Sequence, residues 1–187
     1  IARHGAEEFY QGETAREIVR SLQDAGGLFT LDEFARHETE WYEPPIATEY
    51  RGYTVYETAP PSQGFLLLEM LNILEGFDLA GMGFYSAEAV HAMVEAKKLA
   101  FADRNAYMGD PKFVPAPVNE LISKDFADRR RRLISPDRVL SSVEAGPVAA
   151  PVPGDGDTSY LCVIDGEGNA ISFIHSLFHG FGSGFVA

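Results

Sequence analysis

The chain has 187 residues, 45% of them hydrophobic and 23% charged, which suits a single globular domain and not a disordered chain. Fifteen Lys and Arg stand against 28 Asp and Glu, a formal net charge of −13. That balance argues against a nucleic-acid partner and against an anionic membrane surface, both of which need clustered positive charge. The single cysteine, Cys162, excludes an intrachain disulfide; its apolar surroundings predict a small buried hydrophobe. No apolar run approaches the roughly 20 residues of a membrane-spanning helix. The first residue is Ile1 and the last stretch is "GFVA", so both ends read as cuts through a larger protein, and the compartment stays open.

In chain order, "AEEFYQGETAREIVRSLQDAGG" predicts one helix over 6–27, with Phe9, Ala15, Ile18, Val19 and Leu22 at helical spacing. Gly26 and Gly27 stop it. "TLDEFARH" predicts a short helix with Thr30 as N-cap and Glu33 closing a capping box. A hairpin is expected near 47–57, turning at Arg51-Gly52 and ended by Pro60-Pro61. Ser62 is the expected N-cap of "GFLLLEMLNILEG", with Leu66, Met70, Leu71 and Leu74 toward the core. A longer helix spans about 86–107, with Glu88 in a capping box and Val90, Met93, Val94, Lys97, Ala100 and Phe101 recurring along it. Residues 115–137 predict one or two short helices broken at Ser123 and Pro136. The basic run Arg129–Arg132 is expected to be a solvated face.

From Ser141 to Asp157 the pattern changes. Pro147, Pro151 and Pro153 alternate with Gly146, Gly154 and Gly156 without periodicity, the mark of a mobile, exposed loop. Then "TSYLCVID" and "NAISFIHSLF" form two strand patterns around "GEG". Both faces of each are apolar, which predicts a hairpin in the interior of a layered fold. If the loop is Gly166-Glu167-Gly168, Asp165 faces Asn169 and paired positions sum to 334. Thr158 then faces Ser176 on one side of the sheet, with Cβ atoms about 4.5–5.5 Å apart. A two-residue loop would instead pair Thr158 with Leu177, and a bulge would break the register.

On these residues the chain resembles the γ-glutamyltransferases, which are N-terminal-nucleophile (Ntn) hydrolases. The stretch matching the start of that family's small subunit carries Thr158, Ser159, Val163, Asp165, Gly168, Asn169, Ala170, Ser176, Phe181, Gly182, Ser183 and Gly184. Upstream, "FYQGETAREIV", "AGGLFTLDEF", "EYRGYTVYETAPPSQG", "EAKKLAFADRNAYMGDPKFV" and "LISKDFADRR" resemble the large subunit in the same order.

The resemblance implies an α+β chain, a fragment of a four-layer αββα Ntn-hydrolase fold. Residues 1–140 would be the helical end of the large subunit, 141–157 a flexible pre-cleavage loop, and 158–187 the first hairpin of the small subunit. It implies self-cleavage between Asp157 and Thr158. The freed α-amino group of Thr158 would then serve as base for its own hydroxyl. A hydroxyl needs such a base, and a terminal amine with a pKa of about 7.7–8.0 suits neutral pH. Ser176 would orient the nucleophile.

Substrates would be γ-glutamyl amides such as glutathione, with water, an amino acid or a peptide as acceptor and no cofactor. Where many members have an Asn that holds the donor, Phe178 stands here, which leaves a cephalosporin acylase or poly-γ-glutamate hydrolase as alternatives. From a different class, a non-catalytic homologue serving as a binding module is the rival. The family's carboxylate-binding Arg would lie before Ile1 and its oxyanion-hole glycines after Ala187. The remainder of the same protein is thus an expected partner, and the fragment alone is expected to be inactive.

Other motifs read as structural. His175 and His179 flank Ser176 without metal spacing, so no metal is expected. Asp165 before "GEG" suits a turn. Gly180–Gly184 has no following helix or Lys and is not a phosphate loop. Asp103-Arg104 reads as an ion pair within a helix, and "PPSQG" as a segment facing the missing part of the protein.

Overall fold

Caps and glycines set most of the element boundaries. The computed structural model describes residues 1–39, 41, 44–114, 116–147, 159–176 and 184–185. It has mixed helix and strand content and divides into two compact units, 1–41 with 155–187, and 42–154.

In the first unit the stretch expected to be one helix is two, α1 (Gly5–Tyr10) and α2 (Glu13–Asp24). The break lies at Gly12, which is extended there (ψ −160°). Glu8 causes it: its carboxylate accepts both the Thr14 N–H and the Thr14 hydroxyl at 3.2 Å, capping α2 from the preceding helix. The other end behaves as expected. Gly26 takes φ +86°, and the amides of Gly26 and Gly27 donate to Gln23 and Leu22 carbonyls, a Schellman stop. Helix α3 (Leu31–Ala35) carries the complete Thr30–Glu33 capping box.

The second unit begins with a hairpin, β1 (Ile46–Tyr50) and β2 (Tyr53–Glu57), paired from Ile46–Glu57 to Tyr50–Tyr53. Arg51 and Gly52 both adopt positive φ, as a tight hairpin turn demands. Helix α4 (Gly64–Leu74) follows, then α5 (Leu79–Met82), α6 (Ala87–Tyr107), α7 (Val118–Leu121) and α8 (Lys124–Arg131). Helix α4 packs on α6, α8 and β1. The core is Phe65, Leu66, Ala100, Tyr107, Leu121 and Phe126, continued by Ile73, Ala96, Leu99 and Ala127. Buried Asn72 ties these parts together. It accepts from the Thr48 hydroxyl (2.9 Å) and Lys124 Nζ (2.6 Å), and donates to the Ile122 carbonyl (2.6 Å).

Several expectations are corrected here. The N-cap of α4 is Gln63; Ser62 instead accepts the Gly64 N–H from one residue further out. The buried face of α4 is Phe65, Leu66, Leu68, Glu69, Asn72 and Ile73; of the residues expected toward the core, Leu66 is buried, Met70 and Leu74 pack against the core while partly covered, and Leu71 is partly covered. Ser86 caps α6 through the Ala89 N–H, which makes Ala89, not Glu88, the third helical residue. Of the expected residues Ala100 is buried and Phe101 packs against the core, whereas Val90, Met93, Val94 and Lys97 are exposed; the buried stripe of α6 is Ala89, Ala92, Glu95, Ala96, Leu99, Ala100, Asp103 and Tyr107. Small alanines let α4 approach closely.

The arginine run is a solvated face only at Arg129 and Arg132, which are exposed. Arg130 is 4% exposed and pairs with Asp103. Arg131 donates to the Ile73 and Asn72 carbonyls at 2.7 and 2.8 Å, satisfying the last turn of α4. Asp103 therefore pairs across helices and not with Arg104, whose guanidinium lies over the Phe101 ring.

Candidate active site

The hairpin that would carry the nucleophile consists of β3 (Ser159–Ile164) and β4 (Ala170–His175). It pairs antiparallel from Ser159–His175 to Ile164–Ala170. Each of these pairs sums to 334, the register expected from a Gly166–Gly168 loop. The turn is built by Asp165. Its Oδ1 accepts the Glu167 and Asn169 amides at 2.9 Å, and its Oδ2 accepts Asn169 Nδ2 at 2.9 Å. These bonds, that from the Asn169 side chain foremost, hold the Asp165 carboxyl below its ordinary pKa. Gly168 closes the turn at φ +87°. Asp165 is thus a turn residue in geometry as well as in sequence.

Of the expected site residues, Ser176 is described: it follows β4 directly and is exposed. Asp157, Thr158 and Phe178 lie outside the described residues, as does His179. Cys162, expected to be buried, is exposed, as are Leu161, Val163, Ile164, Ile171, Phe173 and Ile174. Both faces of a hairpin expected in an interior are therefore open to solvent in this chain.

The second unit holds a polar arrangement that sequence patterning missed. Beyond α8 the chain runs along α6, fastened by α6 side chains at nearly every turn. His91 Nε2 lies 2.7 Å from the Ser135 carbonyl. Glu95 accepts the Leu140 amide at 3.0 Å, and Lys98 donates to the Leu140 carbonyl at 3.2 Å. Asp103 Oδ1 accepts the Gly146 amide at 2.5 Å, and the Tyr107 hydroxyl donates to the Gly146 carbonyl. His91, Glu95, Leu99, Asp103 and Tyr107 form one i+4 row, a ridge inclined about 26° to the helix axis. The segment expected to be a loop from Ser141 thus lies, as far as Gly146, along that ridge, with Val143 and Ala145 packed against the core.

At the end of the ridge three ionisable groups meet out of contact with water: Glu69 of α4, Asp103 of α6 and Arg130 of α8. Arg130 Nε lies 2.8 Å from Asp103 Oδ2 without hydrogen-bond alignment, and its Nη2 donates to the Leu99 and Glu144 carbonyls at 3.1 and 3.0 Å. Among the described residues no donor faces either Glu69 oxygen. A bond between Glu69 and Asp103 exists only if one of them carries a proton. Burial, then the Asp103 carboxylate, pushes Glu69 up to about 10. Burial raises Asp103 as well, countered by Glu69, Arg130 and the Gly146 amide. Glu69 holds the proton, and the trio is neutral overall. The spacing of Glu95, Asp103 and Tyr107 on one helix face was the available signal. It is easily passed over because it marks a buried face with polar residues.

A family model described as gamma-glutamyltranspeptidase matches residues 1–187. The chain is 41% identical over 190 residues to the glutathione hydrolase-like YwrD proenzyme of Bacillus subtilis, covering 100% of this chain and 34% of that protein. It is 39% identical over 188 residues to the glutathione hydrolase proenzyme of Escherichia coli, covering 100% of this chain and 32% of that protein. The crystal structure of cephalosporin acylase from Bacillus halodurans superposes with a TM-score of 0.85 at 39% identity, over 100% of this chain and 32% of that one. The chain spans about a third of the length of these relatives.

Proposed function

The chain belongs to the gamma-glutamyltranspeptidase family, and from that premise we propose that it is part of a self-processing enzyme that cleaves γ-glutamyl amides through Thr158. In this reading residues 1–157 end the large subunit and Thr158 begins the small one, within a four-layer αββα Ntn-hydrolase fold. The exposed apolar faces of β3 and β4 support that reading, since strands buried on both sides are what an interior sheet requires.

The observation that carries the proposal is the register. Six pairs summing to 334, extended by one, would set residue 158 across from Ser176. A serine hydroxyl at that distance can donate to the Thr158 oxygen and hold its lone pair toward the reacting carbonyl. In processing, the Thr158 hydroxyl attacks the Asp157 carbonyl. The amide C–N bond breaks as the ester C–O bond forms, and the nitrogen takes the proton. Water then hydrolyses the ester, which releases the Asp157 carboxylate and restores the Thr158 hydroxyl beside the amine already freed. In turnover that amine accepts the hydroxyl proton while Oγ attacks the γ-glutamyl carbonyl, and the departing amine receives a proton. The resulting ester is released by water or by an acceptor amine.

A second reading keeps the chemistry and changes the donor. Phe178 supplies an apolar ring where a donor-binding Asn is common, and one solved relative of high similarity is a cephalosporin acylase. Turnover of a γ-glutamyl anilide and of an acylated cephalosporin by the full-length protein separates the two readings. We expect γ-glutamyl release that disappears in Thr158→Ala. Release of only the cephalosporin acyl group would favour the second reading, and no Thr158-dependent release of either would sink both.

A further inference from the structure

Helix α6 is apolar on two opposite sides. Its inner stripe packs on α4, while Val90, Met93, Val94, Lys97 and Phe101 recur at helical spacing along the other side. A helix that is apolar all round belongs between two layers and not at a surface. The two ends of the outer stripe differ. Toward the C-terminal end the Phe101 ring is roofed by cations, with Lys97 Nζ 5.2 Å and Arg104 Cζ 5.6 Å from its centroid. Toward the N-terminal end Val90, Met93 and Val94 stay exposed, and the loop ahead of the helix adds Phe84, 94% exposed, and Tyr85, 74% exposed. These two rings meet edge to face with centroids 4.4 Å apart. Beside them opens a cavity of about 240 Å³, lined among the described residues by Leu79, Gly83, Phe84, Tyr85, Ala89 and Met93, none of them charged.

We infer that this patch, Phe84 and Tyr85 with the outer face of α6 from Val90 to Val94, is the docking surface for an apolar segment of the same protein that lies outside residues 1–187. The cavity is smaller than the roughly 300–1,000 Å³ of small-molecule sites, so it suits one or two side chains of a packed segment. No described helix is long and apolar enough to cross a membrane, and the net charge of −13 disfavours an anionic bilayer surface. The same protein supplies an occupant: this chain covers 34% and 32% of two relatives, so about two thirds of a protein of that length lies beyond it. A segment tethered to the patch by its own chain meets it at a far higher effective concentration than a second copy does. The inference rests on family membership and not on cleavage at Thr158, so either can fail without the other.

The test uses the full-length protein as Thr158→Ala, so that it stays one chain. A benzophenone-bearing amino acid replaces Phe84, and cross-linked peptides are identified by mass after irradiation. We expect a link within one molecule to a peptide before Ile1 or after Ala187. Links confined to residues 1–187, links only between two molecules, or no link at all would overturn the inference. A second variant, Val94→Glu, reads the sign of an effect. On an open helix face Glu is a better helix former than Val and stands one turn before Lys98, so the melting temperature should hold or rise. Under a docked segment the same change buries a charge without a partner, and we expect a fall of about 2 °C or more. A melting temperature that holds or rises overturns the inference. If the Val94→Glu chain does not fold, the Phe84 cross-links decide.

Discussion

Glu69→Gln gives the sharpest test of the buried trio. Glu69 is fully buried against Asp103 and Arg130, with its pKa pushed from 4.5 to about 10. Between those two values the folded protein binds a proton that the unfolded chain has released. Stability from this group is therefore complete below pH 4.5 and is lost as pH rises toward 10. At pH 7 the 2.5 units from 4.5 cost about 3 kcal/mol at about 1.4 kcal/mol per unit. Only a folded pKa above 7 is needed for that figure. Gln keeps the shape and offers an N–H to Asp103 without a proton to hold. Its second N–H goes unpartnered, which takes back about 1–2 kcal/mol. The expected net gain at pH 7 is about 1–2 kcal/mol. The more telling expectation is that Gln removes a downward slope of about 1.4 kcal/mol per pH unit between pH 6 and 8. Urea denaturation of the full-length Thr158→Ala protein at pH 6, 7 and 8, followed by far-ultraviolet circular dichroism, measures both. An unchanged slope together with a loss of stability would show that Glu69 is ionised and that the proton assignment is wrong.

Other expectations follow from single contacts. Arg131 Nε stands 2.1 Å from where a β-carbon on Gly76 would lie, so Gly76→Ala should evict the guanidinium from the α4 carbonyls and cost about 1–3 kcal/mol, the cost also expected of Arg131→Ala. Denaturation of the double variant should show the two costs failing to add; full additivity would refute the shared cause. Ser176→Ala should leave an enzyme that still cuts before Thr158 but releases γ-glutamyl groups about 10- to 100-fold more slowly, the worth of one hydrogen bond to a reacting centre; unchanged release would remove Ser176 from the site. Asp165→Ala should speed amide exchange at Glu167 and Asn169, whose N–H groups it holds. The Asp165 carboxyl sits below its ordinary pKa, so its support is present above the unfolded pKa and is lost as pH falls through the folded value. Exchange in the variant equal to wild type at neutral pH would refute that role.

Elements governed by local chemistry were legible in the sequence: the Thr30 capping box, the Gly26–Gly27 stop, the Arg51-Gly52 turn and the register of β3 with β4. Each depends on residues a few positions apart. What was not legible depends on partners far along the chain. Helix α6 was read by its apolar residues, yet it buries Glu95, Asp103 and Tyr107, because Leu140 and Gly146 offer backbone groups to them. Arg130 and Arg131 looked like neighbours in a charge run; one reaches Asp103 and the other the end of α4. Nothing local marks such bonds, since any residue carries the carbonyl or amide they engage. The break at Gly12 was missed for a related reason: Glu8, an ordinary helix former, caps the next helix instead of continuing its own. Cys162 and the apolar faces of the hairpin were read as interior and are exposed in a chain that spans about a third of its relatives.

The intact mass of the full-length protein after purification tests the central claim most directly. Two chains that divide between Asp157 and Thr158, with a single uncut chain in Thr158→Ala, are the predicted result. One uncut wild-type chain after prolonged incubation, or a break elsewhere that persists in Thr158→Ala, would contradict it.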